Sequence, residues 1–397
     1  MKYCSRCVYP EVAVNLVIQG NLCTACLSFE EGEDESQIDW AVRAEEFAEL
    51  AALAKQNSRG NYDCVVPVSG GKDSYYQTHV AIEYGLKPLL VTYHGNNYLP
   101  EGDWNRDRMR SVFDADHLVM GPSVDVLKKM NRLGFRKMGD MNWHAHAGIY
   151  TYPMHIAVKL GIPLVIWGEI PWDISGMYSP HDKVEFNKRL RREHDLRGFE
   201  WTDFVGDPED FLEDRDLNWA KYPTDDEVQA LGLRGIFIGN YFKWDANLHV
   251  EIAKREYGWK ASEVAFDRTY RRMSNLDDRY ENGVHDLLKF LKFGYGRASD
   301  HASKDIRAGH LSRSQGIDMV RQYDHIVSSD LRHWLEYVEL SEAEFWRIAD
   351  SFRDPRVWRI EGGTWVKDNI WGESSSYGEV HLDPQLWSKF QVSEKGS

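Results

Sequence analysis

The sequence predicts an α/β protein built on a doubly wound parallel sheet, preceded by a cysteine-rich ribbon and followed by a helical C-terminal region. Three observations carry that expectation. Between residues 60 and 258, short continuous apolar runs alternate with stretches of helical spacing, as parallel strands buried on both faces and their crossover helices require. The loop "SGGKDS" directly follows the first of those runs. Four of the five cysteines fall within the first 26 residues.

Composition bounds the rest. At 397 residues the chain has room for more than one domain. With 42% hydrophobic and 28% charged residues it has the balance of a soluble globular protein. The formal net charge of −15 argues against a broad nucleic-acid-binding face, which needs clustered Lys and Arg. No apolar run approaches the length of a membrane span, and "MKYCSRCVYP" lacks the apolar region of a signal peptide. A cytoplasmic protein with reduced thiols is expected, with no membrane partner.

Residues 1–30 come first. Cys4 and Cys7, then Cys23 and Cys26, form two C-x2-C knuckles. Each knuckle aims two thiolates at one ion, and two knuckles complete tetrahedral Zn2+; an iron–sulfur cluster or redox dithiols would use the same residues. A site closed by four thiolates has no open position, so it is read as structural. Residues 31–59 read as an acidic linker, "SFEEGEDESQIDW", leading into a helix, "AVRAEEFAELAALAKQ".

Residues 60–258 form the main domain. "YDCVVPV" is its first strand, in which Cys64 reads as a small buried hydrophobe. "DSYYQTHVAIEYG" has helical spacing and stops on Gly85, and "KPLLVTYH" is a second strand. Ser69, Gly70, Gly71, Lys72, Asp73 and Ser74 thus sit at the carboxyl end of a strand where a helix begins. Open α/β sheets bind ligands there, and glycines with helix-terminal N–H groups suit a phosphate. This is not a Walker A loop, because Val66 stands where that pattern needs glycine and Asp73 follows the lysine. "DHLVMGP", "IPLVIWGE" and "GIFIGNYF" supply three more strands, and "HAGIYTYPMHIAVKLG" an intervening helix. Glu169, Lys243 and Asp245 lie at or just past strand ends, and His94 ends the second strand. From residue 259 to 397 a helical pattern is expected. Within it Arg297, Asp300, His301 and Lys304 concentrate charge that suits an anionic ligand.

The "SGGKDS" loop in its strand–loop–helix setting resembles the PP-loop, or N-type, ATP pyrophosphatases. The resemblance implies cleavage of ATP between the α and β phosphates. Ser69, Gly70, Gly71 and Ser74 would hold pyrophosphate, Lys72 would offset developing charge, and Asp73 would hold Mg2+ or cap the helix. His94 would lie where such folds place adenine. "YCSRCVYP…LCTACLSFE", "VSGGKDS", "FIGNYFKWDANLHVEIAKREYGW" and "LKFLKFGYGRASDHASKDIR" occur together in that order across residues 1–325. That series is similar to the N-acetyl sugar amidotransferases of bacterial surface-polysaccharide biosynthesis (the WbpG and PseA type).

This second resemblance implies conversion of an acetamido group of a diacetamido sugar, nucleotide-linked or a nonulosonic acid, to an acetamidino group. ATP would be the cosubstrate and Glu169 the acid or base for the ammonia step. Arg297, Asp300, His301, Lys304, Lys243 and Asp245 would meet the sugar, with Trp143, Trp172 and Trp244 as stacking surfaces. No cysteine stands at position 2 and no G-x-C-x-G elbow occurs, so ammonia is expected from outside the chain; the resemblance implies that its source is a separate glutaminase similar to that of histidine biosynthesis, with its barrel companion as conduit. A homo-oligomer is expected. The rival readings are a tRNA-thiolating PP-loop enzyme, for which only Cys64 is spare, and a nucleotide-binding scaffold without turnover.

Overall fold

The computed structural model describes residues 1–14, 16–30, 38–168, 181–274, 276 and 279–393. A hairpin of β1 (Ile18–Gln19) and β2 (Leu22–Cys23) runs into α1 (Thr24–Glu30). α2 (Trp40–Asn57) starts where Asp39 Oδ1 accepts from the amides of Ala41 and Val42. Its Phe47, Leu50, Ala51 and Ala54 recur at helical spacing and bury one stripe against the main sheet.

That sheet contains the five apolar runs: β3 (Cys64–Pro67), β4 (Pro88–Tyr93), β5 (His117–Met120), β6 (Leu164–Trp167) and β7 (Arg234–Phe237). All are parallel, in the order β5-β4-β3-β6-β7. Cys64 and Val66 enter one core and Val65 the other, which is why the run has no polar alternation. Burial pushes the Cys64 thiol well up, consistent with an inert core group. The sequential strands grow outward from β3 to β5, then the chain returns to the other side of β3 for β6. The carboxyl ends of β3 and β6 therefore flank the point where strand order reverses.

Around the sheet lie α3 (Lys72–Glu83), α4 (Pro100–Val112), α5 (Val124–Met138), α6 (Trp143–Leu160), α7 (Asp225–Leu231) and α8 (Ala246–Tyr257). Trp143 is a core residue, 1% exposed and packed on Phe204 at 4.3 Å between ring centres, so it offers no stacking face to a sugar. Its place at the start of an apolar helix decides this. Trp172 lies outside the described residues. Among the described residues no helix is long and apolar enough to cross a membrane.

The C-terminal region begins as expected with helices: α9 (Arg279–Phe293), α10 (Arg297–Arg307), α11 (Arg313–Tyr323), α12 (Asp330–Val338) and α13 (Glu342–Ser351). It does not stay helical to its end. β8 (Arg359–Glu361), β9 (Thr364–Asp368), β10 (Ser374–Glu379) and β11 (Val392–Ser393) form a second sheet in the order β10-β9-β8-β11. Gly362 and Gly363 both take positive φ, 52° and 76°, and close the β8–β9 hairpin. Trp365 then turns into a core with Trp334, Phe345, Trp358 and Phe390, so the tryptophans of this segment build a sheet-on-helix core.

A buried polar network joins the two regions. Glu281 accepts from Asn97 Nδ2 at 2.8 Å and Asn131 Nδ2 at 3.0 Å, and its other oxygen lies 2.9 Å from His144 Nε2. His144 Nδ1 is 2.9 Å from the hydroxyl of Tyr93, at the carboxyl end of β4. Glu281 and His144 are both fully buried. Removing one partner strands the other in a dry site, so Glu281→Ala is expected to destabilise the protein by about 3–5 kcal/mol. The urea midpoint at unchanged m-value measures it.

Candidate active site

The loop between β3 and α3 is tied down by its own side chains. Ser69 N donates to Ser74 Oγ at 2.9 Å, and Gly71 N donates to Ser69 Oγ at 3.3 Å. Trp259 Nε1 donates to the carbonyl of Gly70 at 3.0 Å. Gly70 has φ +87°, and a Cβ there would come within 2.6 Å of the Arg106 backbone nitrogen. Both the conformation and the approach of α4 require glycine. Gly70→Ala combines left-handed strain with a backbone clash and is expected to cost about 2–4 kcal/mol. Chemical denaturation reads the loss. The α3 N-terminus behind this loop presents amide donors with no intrahelical acceptor.

Asp73, in the first turn of α3, is held on both oxygens. Lys72 Nζ donates to Oδ2 at 2.6 Å, and His249 Nδ1 lies 2.7 Å from Oδ1. Burial by itself would raise its pKa, but the Lys72 charge and the His249 contact outweigh it and hold the carboxyl well below the usual range. His249, on α8, is fully buried; its ring stacks on Tyr76 at 4.0 Å and meets Trp244 edge-on at 4.4 Å. Trp244 and Gln77 also close on Gly168 beyond β6, where an added Cβ would lie within 3.0 Å of both. Trp244 is thus placed beside the crevice.

His94 stacks on Tyr98 with 4.5 Å between ring centres, and the Arg106 guanidinium lies over the other ring at 4.8 Å. Arg106 also pairs with Asp103 at 2.8 Å and Asp107 at 2.9 Å. Burial, then the Arg106 charge, lowers the His94 pKa. A neutral imidazole beside a tyrosine ring is an aromatic surface suited to a flat heterocycle.

α10 carries the charged cluster of the C-terminal region. Its His301 is buried, with Nδ1 2.6 Å from Thr269 Oγ1. Burial and then the charges of Arg271, Arg297, Lys304 and Lys72 hold His301 well below the ordinary imidazole value. The other charges of the cluster are used internally. Arg297 Nε donates to the buried Asp286 at 2.8 Å, and Asp300 accepts from Lys289 and, at 3.1 Å, from Tyr9 OH. Asp245 caps α8, accepting from Asn247 N at 2.8 Å and Leu248 N at 3.3 Å. Lys243 is exposed in the turn before it, and Glu169 lies outside the described residues.

The N-terminal cysteines gather as the spacing predicts. The sulfurs of Cys4, Cys7, Cys23 and Cys26 all lie within 4.8 Å of one another and are fully buried. Cys7 and Cys23 sulfurs are 3.7 Å apart, close to the edge of about 3.8 Å that Zn–S bonds of about 2.3 Å give a tetrahedron. The donor set therefore fits structural zinc. The ribbon docks on the C-terminal region: Arg313 donates to the carbonyls of Cys7 at 3.2 Å and Cys4 at 3.1 Å, and Tyr9 meets Tyr295 edge-on at 5.9 Å.

The reading of the sequence missed His249, Trp259 and Arg106. His249 and Trp259 both stand in the quoted "FIGNYFKWDANLHVEIAKREYGW" segment, yet a histidine within a helical pattern carries no sign of what it faces.

Residues 268–369 match the family model of the LPS biosynthesis protein WbpG-like, C-terminal domain. This part of the chain is similar to that domain. The matched segment carries α9 and α10, and with them His301, Arg297 and Asp300. No curated protein matches the chain. Solved structures similar to it include NMN synthetase from Francisella tularensis, at 10% identity and TM-score 0.25, covering 58% of this chain and 99% of that one. Another is the NH3-dependent NAD synthetase from Campylobacter jejuni, at 12% identity and TM-score 0.29, covering 57% of this chain and 99% of that one. Likenesses at these TM-scores carry no weight beside the loop geometry and the WbpG-like match.

Proposed function

We propose that this protein is an ATP-dependent amidotransferase of bacterial surface-polysaccharide biosynthesis that turns an acetamido group of a diacetamido sugar into an acetamidino group. One observation carries the reading: an SGGKDS loop, with Gly70 at positive φ and Lys72 paired to Asp73, stands at the switch point of a parallel sheet in a chain whose residues 268–369 match the WbpG-like C-terminal domain.

An amide carbon is a poor electrophile because its nitrogen donates into it. Attack of the amide oxygen on the α-phosphate of ATP forms an O-adenylyl imidate and releases pyrophosphate. Ammonia then adds at the imidate carbon, and AMP departs with the former amide oxygen, leaving the amidine. Ser69, Gly70, Gly71, Ser74 and the α3 N-terminus hold the pyrophosphate oxygens, and Lys72 stabilises the charge that grows on them. His94 and Tyr98 receive adenine. Asp73, about one-third exposed and paired with Lys72, is the residue to hold Mg2+, which when bound would neutralise phosphate charge. Arg297 and Asp300 shape α10 through their ion pairs, and His301, Lys304, Lys243 and Trp244 would meet the sugar. The cysteines lie in the metal cluster or, as Cys64, in the core, so a separate glutaminase supplies ammonia.

The test is mass spectrometry of reactions containing ATP, Mg2+, an ammonium salt and a panel of nucleotide-linked diacetamido sugars and diacetamido nonulosonic acids. Exchange of one oxygen for NH, with AMP and pyrophosphate formed, is the expected result. Thiolation of tRNA, with no sugar product under any condition, would overturn it.

A further inference from the structure

We propose that His249 is the positioning residue for Asp73, setting the orientation of that carboxylate for ATP binding; this role rests on the ATP-dependent reading above. The Asp73 carboxylate, paired with the Lys72 ammonium at 2.6 Å, acts as an acceptor. The 2.7 Å contact therefore fixes the proton on His249 Nδ1. The ring cannot turn away: Tyr76 stacks on one face at 4.0 Å and Trp244 meets it at 4.4 Å. Nε2 is buried without a hydrogen-bond partner among the described residues. Burying that nitrogen unpaired costs free energy, so the ring's polar contribution is concentrated in the single contact to Asp73.

The contact also divides the work of the carboxylate. With Oδ1 pinned by His249, Oδ2 is turned to Lys72 at 2.6 Å, and the side chain remains about one-third exposed at the loop. Without the histidine, Asp73 would be free to rotate about χ2 and to swing both oxygens onto Lys72, lowering the charge that lysine offers to a phosphate. The aromatic sandwich around His249 comes from α3 (Tyr76) and the turn after β7 (Trp244). The arrangement therefore couples the far side of the crevice to the first turn of α3.

His249→Phe keeps the stack on Tyr76 and the buried volume but lacks the donor, whereas His249→Asn presents an amide N–H near the position of Nδ1. Titration calorimetry with MgATP should show affinity falling about tenfold or more in His249→Phe, with most of it regained in His249→Asn. A packing role would be met by Phe and not by the smaller Asn, so the order of the two affinities would reverse.

A second readout does not depend on ATP. The imidazole N–H proton of His249 should resonate far downfield in the free protein and move upfield in Asp73→Asn. Equal ATP affinity in wild type and His249→Phe would overturn the proposal, as would absence of the downfield proton. A protein that shows the proton but binds no ATP would overturn the ATP-dependent reading, and this role with it, while leaving the contact intact.

Discussion

Replacing Lys72 with alanine is expected to lower ATP-dependent turnover by about 10²–10³-fold, the usual loss when one charge-stabilising donor is taken from a preorganised site. The lysine is mostly buried, 11% exposed, and its ammonium is 2.6 Å from Asp73. It is the largest favourable influence on that carboxylate, opposing the effect of burial. Removing it therefore takes a cation from the phosphates and also raises the Asp73 pKa, so the variant's remaining activity should fall away at higher pH than the wild type's. Lys72→Arg should recover little, because a planar guanidinium does not replace a compact ammonium in a cradle of this size. Initial rates of AMP formation measure the effect, and the melting transition should stay within a few degrees because few core contacts are lost. If wild type and Lys72→Ala both bind ATP and neither forms AMP with any sugar, the protein is a nucleotide-binding scaffold.

Replacing Cys4 with serine, or stripping the metal with a strong chelator, is expected to unfold the N-terminal ribbon and weaken activity at a distance. The ribbon core consists of the four cysteines, Tyr9 and Ala13 against Tyr295, too little apolar surface to hold the segment without metal. Structural zinc in small domains contributes about 10–16 kcal/mol of binding free energy that becomes folding free energy. Four cysteine sulfurs within 4.8 Å would also repel one another once ionised and without a cation between them. The consequence reaches α10 because Tyr9 donates to Asp300, and Arg313 on α11 binds the carbonyls of Cys4 and Cys7. The expected findings are loss of one zinc per chain by elemental analysis, new protease cuts before residue 38, and a rise in sugar KM larger than the change in ATP affinity. An unchanged sugar KM in a zinc-free protein would show that the ribbon does not brace α10.

Most of the main domain was legible in the residue order. The five strands pair as their apolar runs predict, and the loop and both cysteine knuckles sit where their spacing puts them. The end of the chain was not legible in the same way. Its tryptophans carry no period until Gly362 and Gly363 turn the chain and Val392 pairs beside Ile360. The charged cluster of α10 was visible, but its use was not: Arg297 is spent on a buried aspartate and Asp300 on a lysine and the ribbon.

The sequence by itself determined the parallel α/β sheet, the phosphate-type loop and the four-thiolate site, because periodicity, glycine conformation and paired thiols are properties of neighbouring residues. Only the tertiary structure decided what surrounds the loop. His249 meets Asp73 across 176 positions and Trp259 meets Gly70 across 189. Contacts of that range depend on how whole layers pack, which no local run of residues records.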